Sequence, residues 1–141
     1  MDYTALAAQL LSVQASLLQV PANQQLSRMV KGELFVLNYL LTHEKIIHPK
    51  ELSEKMSVST ARIASLLNHM EEKNLVMRSA DPDDNRQVVV VLTEEGRDQI
   101  HQIRAGVISR VAAMLESLGP EDAKEYIRIQ EKIWSSNQKH P

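Results

Sequence analysis

Apolar residues recur at alternating intervals of three and four near the start of the chain, at Tyr3, Leu6, Leu10, Val13, Leu17 and Val20. That spacing is one stripe of a helix. Pro21 should end or kink it, and Pro21-Ala22-Asn23-Gln24-Gln25 reads as a connector. The run from Gly32 to Leu41 is strongly apolar and predicts a buried helix. His43-Glu44-Lys45 begins a turn, and Ile46-Ile47 suggests a short strand. Pro49 suits the first turn of a short helix to Met56, with Leu52 and Met56 inward. Ser57-Val58-Ser59 interrupts the pattern, and Ser59 suits the N-cap of a second helix running to about Lys73. Ile63, Leu67 and Met70 form its inner face, and Asn74 stands where the chain must leave in a left-handed turn.

The period then changes. Leu75 to Arg78 and Gln87 to Thr93 are β-rich runs on either side of the polar hexapeptide Asp81-Pro82-Asp83-Asp84-Asn85-Arg86, which predicts a hairpin with a long tip. Thr93 caps the next helix, where Ile100, Ile103, Val107, Val111, Met114 and Leu118 restore the alternation of three and four. Gly119-Pro120 stops it. A last helix, about Glu121 to Ser135, carries Tyr126, Ile129, Ile133 and Trp134.

Two short helices separated by a tight break and followed by a hairpin make a winged helix-turn-helix. The expected fold is mainly α with a small β-hairpin wing. Residues 1–30 form an N-terminal dimerisation helix and connector, and 31–93 the winged DNA-binding lobe. Residues 94–136 form C-terminal dimerisation helices and 137–141 a frayed tail, all within one intertwined domain. The terminal stripes are too long for the lobe to cover. Monomers rarely leave such surfaces wet, so they are expected to pair with the same helices of a second chain, with a plain intramolecular core as the competing account.

Composition narrows the function. The 141 residues hold no cysteine, which excludes disulfides, thiolate metal sites, cysteine nucleophiles and thiol redox sensing. With only four glycines, no phosphate-cradling loop can be written. The five histidines form no HExxH or clustered His/Glu string, so no metal or cofactor is expected; His43 and His48 are the nearest pair. No nucleophile motif frames any serine, so the chain is not expected to be an enzyme. No run is long enough to span a membrane and no leader is evident, so a cytoplasmic protein is expected. The net charge of −2, from 16 basic and 18 acidic residues, does not advertise a nucleic-acid binder. Any DNA contact must rest on a local arrangement of charge.

From Pro49 to Gly96 the sequence resembles the MarR family of winged helix-turn-helix transcription regulators. The resemblance is carried by Glu51-Leu52-Ser53, Val58 to Ile63, Met70 to Arg78, Asp81 to Arg86, and Val91-Leu92-Thr93-Glu94-Glu95-Gly96. The Asp-x-Arg wing and the Leu-Thr-x-x-Gly exit are its most specific parts. Asn74 replaces the family's usual Gly, Ser53 its common Ala, and Asn85 a frequent basic residue, leaving one phosphate-contacting cation fewer at the wing tip. Val30 and Glu33 stand where the family often has Thr and Gln.

With Ile63, Leu67 and Met70 inward, the outer arc of the second helix holds Ser59, Thr60, Arg62, Ser65 and His69. Small hydroxyls and one forked cation can approach a major-groove floor, with Arg62 suited to guanine and Ser59 and Thr60 to phosphate. An ordinary solvated helix face is the plainer explanation of the same residues. The resemblance implies that Arg86 enters the minor groove with Asp84 holding it, Asn85 beside it; a plain surface pair ordering a turn is the alternative. Lys50 and Lys55 on the first short helix are candidate phosphate contacts, with a solvated face beside Glu51 and Glu54 as the equal alternative. The homodimer expected from the terminal stripes would offer two copies of the second helix to double-stranded DNA and predicts a pseudo-palindromic operator, and the resemblance implies a small-molecule effector that shifts the spacing of the lobes. Phe35, Tyr39 and His43 are the effector-pocket candidates by position, with core packing as the competing account. The function so read is a ligand-responsive repressor; the alternative is a winged-helix protein-interaction module, which the near-neutral charge would suit.

Overall fold

Burial follows the central periodicity. In the computed structural model, which describes residues 1–138, Leu37, Ile47, Leu52, Ile63, Leu67, Met70, Val76 and Ile100 are almost wholly withdrawn from solvent. They come from α3 (Gly32–Thr42), the loop after it, α4 (Pro49–Met56), α5 (Thr60–Glu72), β1 (Val76–Asp81) and the start of α6 (Glu94–Leu118). β2 (Asp84–Leu92) adds Val90. This core holds the winged lobe. α1 (Tyr3–Leu17) and α2 (Pro21–Met29) precede it, and α7 (Pro120–Gln138) follows. The mainly helical winged helix-turn-helix read from the sequence is therefore the fold.

Four local expectations are corrected. Pro21 to Gln25 is not a connector but the first turn of α2, with Pro21 at its first position. Proline lacks only an N–H that a helix start leaves unpaired anyway, so it opens a helix as readily as it closes one. The polar residues after it bind back to α1: Asn23 Nδ2 donates to the Leu17 carbonyl at 3.3 Å and Gln24 Nε2 to that of Leu18 at 2.7 Å. Ile46-Ile47 forms no strand; Ile47 is a buried core residue whose carbonyl accepts one bond, from Val90 N–H at 2.9 Å. Pro120 opens α7 as well as ending α6, and the helix includes Asn137 and Gln138, which were expected to fray. The rest of that tail lies outside the described residues.

The fourth correction concerns the wing. The antiparallel ladder runs from Val76↔Leu92 to Ala80↔Val88 and then jumps to Asp81↔Asp84. The long tip is thus a tight turn at Pro82-Asp83 followed by a bulge, in which Asn85, Arg86 and Gln87 have no ladder partner on β1. A bulge bends a strand and re-aims its side chains.

The Leu-Thr-x-x-Gly exit has a mechanical explanation. Thr93 accepts the Gly96 N–H at 2.9 Å as N-cap of α6, while its own O–H donates to the Asn74 carbonyl at 2.7 Å. Asn74 adopts the left-handed conformation, φ 59°. A Cβ on Gly96 would press into the Leu75 carbonyl, 2.9 Å from its carbon, so only glycine lets α6 start here. The wing is thereby closed onto the end of α5.

Candidate nucleic-acid interface

α4 begins with proline and ends on Ser57 in the left-handed conformation, φ 56°. That turn swings the chain so that Ser59 caps α5, its Oγ accepting the Arg62 N–H at 3.1 Å. Ile63, Leu67 and Met70 are buried as expected, which turns Thr60, Arg62, Ser65 and His69 outward, all exposed. The Arg62 guanidinium has no ion-pair or hydrogen-bond partner among the described residues. With Ser65 and His69 it borders a groove of about 400 Å³ floored by Met56, Val58 and Leu66.

Arg86 projects from the wing bulge with 90% of its side chain exposed. Asp84 Oδ1 accepts both its backbone N–H and its Nε at 3.1 Å, and Oδ2 accepts Nη2 at 3.4 Å. That contact holds the Asp84 carboxyl below the usual aspartate range. Asn85 is exposed beside it. Lys50 is exposed on α4 and borders a cavity of about 550 Å³ between that helix and β2. Its neighbour Glu51 is already engaged by Lys45 at 3.1 Å and by the Tyr39 hydroxyl, so that carboxylate does not neutralise Lys50.

Two polar contacts escaped the reading of the sequence. Arg78, on β1, donates Nε to Glu71 at 2.8 Å, Nη2 to the other Glu71 oxygen at 3.1 Å, and Nη2 also to Asn68. Glu71 also accepts the Arg78 backbone N–H at 3.0 Å, so α5 and the wing are clamped together. On the other side, His48 Nε2 lies 2.6 Å from Asp81 Oδ2. The signals were present but read otherwise: Asp81 as a turn former, and His48 only as the histidine nearest His43 in a chain where no metal was expected. His43 and His48 have separate partners, and no three metal-ligating side chains cluster among the described residues.

Phe35, Tyr39 and His43 do come together, as a column along α3. The first two rings stack at 5.7 Å between centroids and the second pair at 3.9 Å. Tyr39 is buried; burial first, and then the Glu51 carboxylate that its hydroxyl meets, push that hydroxyl up to about 12. The same bond lowers Glu51. His43 borders a cavity of about 260 Å³ with Leu40, Ile47 and Arg97, whereas Tyr39 belongs to the hydrophobic core and Phe35 packs against that core.

A two-helix unit with a bare outer arc, followed by a hairpin projecting an arginine, defines the winged helix-turn-helix class. The family described as transcriptional regulator SarA/Rot matches residues 23–103. The chain belongs to that family, among the MarR-like winged-helix regulators. It is similar to the HTH-type transcriptional repressor MdtR of Bacillus subtilis (strain 168), 30% identical over 102 residues, 72% of this chain and 65% of that protein. The fold is that of AbsC, a MarR family transcriptional regulator from Streptomyces coelicolor, with a TM-score of 0.72 at 22% identity, covering 99% of this chain and 97% of that one. A MepR–DNA complex from S. aureus matches with a TM-score of 0.68 at 19% identity, covering 92% of this chain and 96% of that one. The chain spans between 50% and 65% of the length of the first curated relatives it matches. The family is one of regulators and not of enzymes. No single helix among the described residues is long and apolar enough to cross a membrane.

Proposed function

We propose that two copies of this chain bind double-stranded DNA as a ligand-responsive repressor on a pseudo-palindromic operator in the cytoplasm. The observation that carries the reading is the presence of two exposed cations on one lobe: Arg62 on the outer arc of α5, its guanidinium without a partner among the described residues, and Arg86 on a projecting bulge, braced by Asp84. Arg62 suits bidentate readout of a guanine edge. Ser59, Thr60, Ser65, His69 and Lys50 flank it as hydroxyl, imidazole and ammonium donors to phosphate and base edges. Arg86 and Asn85 suit an adjacent minor groove, where a narrow cleft concentrates negative potential. The names of MdtR, a repressor, and of the MepR–DNA complex support the same reading.

The homodimer is supported by the terminal helices, which bury no residue within one chain while exposing Leu10, Leu11, Ile133 and Trp134. Two recognition helices about one DNA turn apart, roughly 34 Å, follow from a two-fold axis. We assign the effector to the Phe35–Tyr39–His43 column. It lies on α3, which Arg104 of α6 grips through Asn38 at 3.0 Å, so a ligand there acts at the joint between lobe and dimerisation helices. A ligand that prefers one lobe spacing by a few kcal/mol suffices to empty an operator.

The test is a titration against the DNA upstream of the protein's own gene, over a range of salt, with light scattering for mass. We expect a dimer, affinity that falls steeply with salt as phosphate contacts release counterions, and strong weakening by Arg86→Ala at unchanged helix content. Binding that ignores salt, or an Arg86→Ala chain with wild-type affinity, would return the lobe to a protein-interaction module.

A further inference from the structure

Arg86 sits in a bulge without ladder bonds, so its direction must be fixed by something other than the sheet. The contacts beneath it form one series. Asp81 is 8% exposed at its side chain and splits its two oxygens: Oδ2 faces His48 Nε2 at 2.6 Å, and Oδ1 accepts the Asp83 N–H at 2.9 Å. The second bond shapes the Pro82-Asp83 turn. Asp84, paired with Asp81 across that turn, then holds Arg86 by its backbone and its guanidinium.

His48 is well placed to anchor the series. It is the N-cap position of α4, its backbone fixed by Pro49 behind it and by Ile47, whose carbonyl takes the Val90 N–H. We infer that His48 is a positioning residue for Arg86. Its ring tethers the buried Asp81 to the first helix of the helix-turn-helix and so aims the wing cation at DNA. The inference rests on the DNA-binding reading above and deepens it. Without the tether, a buried carboxylate loses its side-chain partner, and a bulge held by a short turn is free to reorient. The clamp of Arg78 on Glu71 cannot replace it, because it grips β1 three residues before Asp81.

The experiment uses the full chain and four variants: His48→Ala, His48→Gln, Arg86→Ala and the double variant His48→Ala/Arg86→Ala. Glutamine can present an amide N–H near the place of Nε2. Affinity for one DNA site is measured at a salt low enough for Arg86→Ala still to bind, and amide exchange is followed without DNA. We expect His48→Ala to weaken binding about tenfold, His48→Gln to recover most of that loss, and His48→Ala to add almost nothing once Arg86 is gone. The Asp83 and Arg86 amides should exchange faster in His48→Ala while those of Leu67 and Met70 stay protected. Unchanged affinity, an equal loss in the Arg86→Ala background, or unchanged exchange at Asp83 and Arg86 each overturns the inference. If the wild-type chain binds no DNA, the functional reading falls instead, and exchange at those amides decides the tether by itself.

Discussion

The winged lobe and the helices at the two ends of the chain carry the same apolar periodicity, yet only the lobe satisfies it internally. Leu37, Leu52, Ile63 and Leu67 are all within 1% of complete burial, while Leu10 and Leu11 on α1 are 57% and 74% exposed and Trp134 on α7 is 65% exposed. α6 bridges the two, burying Ile100 near its start and Val107 near its middle and leaving Leu118 open at its end. Periodicity therefore reports that a face needs a partner and not where that partner is. In the lobe the partner is the next element of the same chain. At the ends, on the dimer reading, it is a second copy.

Truncating one leucine in each region is the severest way to break this contrast. Leu67→Ala empties a fully buried site and should cost about 2–5 kcal/mol of unfolding free energy at every protein concentration. Leu10→Ala trims a side chain that the single chain leaves 57% exposed, so its effect should appear mainly through assembly, as a lower dimer fraction and a more strongly concentration-dependent Tm. Denaturant melts at two concentrations, with scattering mass, separate the cases. Were Leu10→Ala to destabilise dilute monomer as Leu67→Ala does, the ends would belong to the same core as the lobe.

Glycines of α6 sharpen the same comparison with smaller effects. Gly96 starts the helix against the Leu75 carbonyl, and Gly96→Ala must push the wing exit away, at about 1–3 kcal/mol. Gly106 has nothing closer to a new Cβ than the Arg110 guanidinium at 3.9 Å. Gly106→Ala should therefore stabilise by about 0.4–1 kcal/mol, through helix propensity and a less free unfolded chain. Urea unfolding of the two variants should move in opposite directions; movement in the same direction would show that the Leu75 contact yields easily.

What the sequence could reveal follows from the same distinction. The inner faces of α4 and α5, the left-handed Asn74 and the caps Ser59 and Thr93 were legible because each depends on neighbours within a turn or two. The outer arc of α5 followed from the inner one by geometry. Pro21 was misread because proline looks alike after one helix and at the start of the next. The bulge that aims Arg86 was not legible, since composition marks a turn but the register is set by Asp81, and Asp81 is set by a histidine from another element. The Glu71–Arg78 clamp likewise joins a helix to a strand across the Asn74 turn, where no periodicity connects them. Polar pairs between different elements leave no periodic pattern along a chain.

Acid should act unequally on the two regions, through carboxylates that look alike in isolation. Glu71 in the lobe and Glu125 on α7 are both held below the usual glutamate range, first of all by hydrogen bonds from an arginine, Arg78 and Arg128 respectively. A carboxyl depressed in the folded state stabilises the fold above its unfolded pKa, about 4.3, and loses that contribution as pH falls through its lower folded value. The sign is the same for both, so lowering the pH below about 4 weakens each pair. Their reach differs. Glu71 also holds a backbone N–H of β1 and joins two elements, whereas Glu125 meets Arg128 within one turn of an exposed helix. Exposed pairs of that kind contribute little. Glu71→Gln should therefore flatten the acid limb of the lobe's stability curve, and Glu125→Gln should leave it as it was. Thermal melts between pH 6 and 3 read both, and an equal flattening by Glu125→Gln would mean that α7 is coupled to the lobe's stability after all.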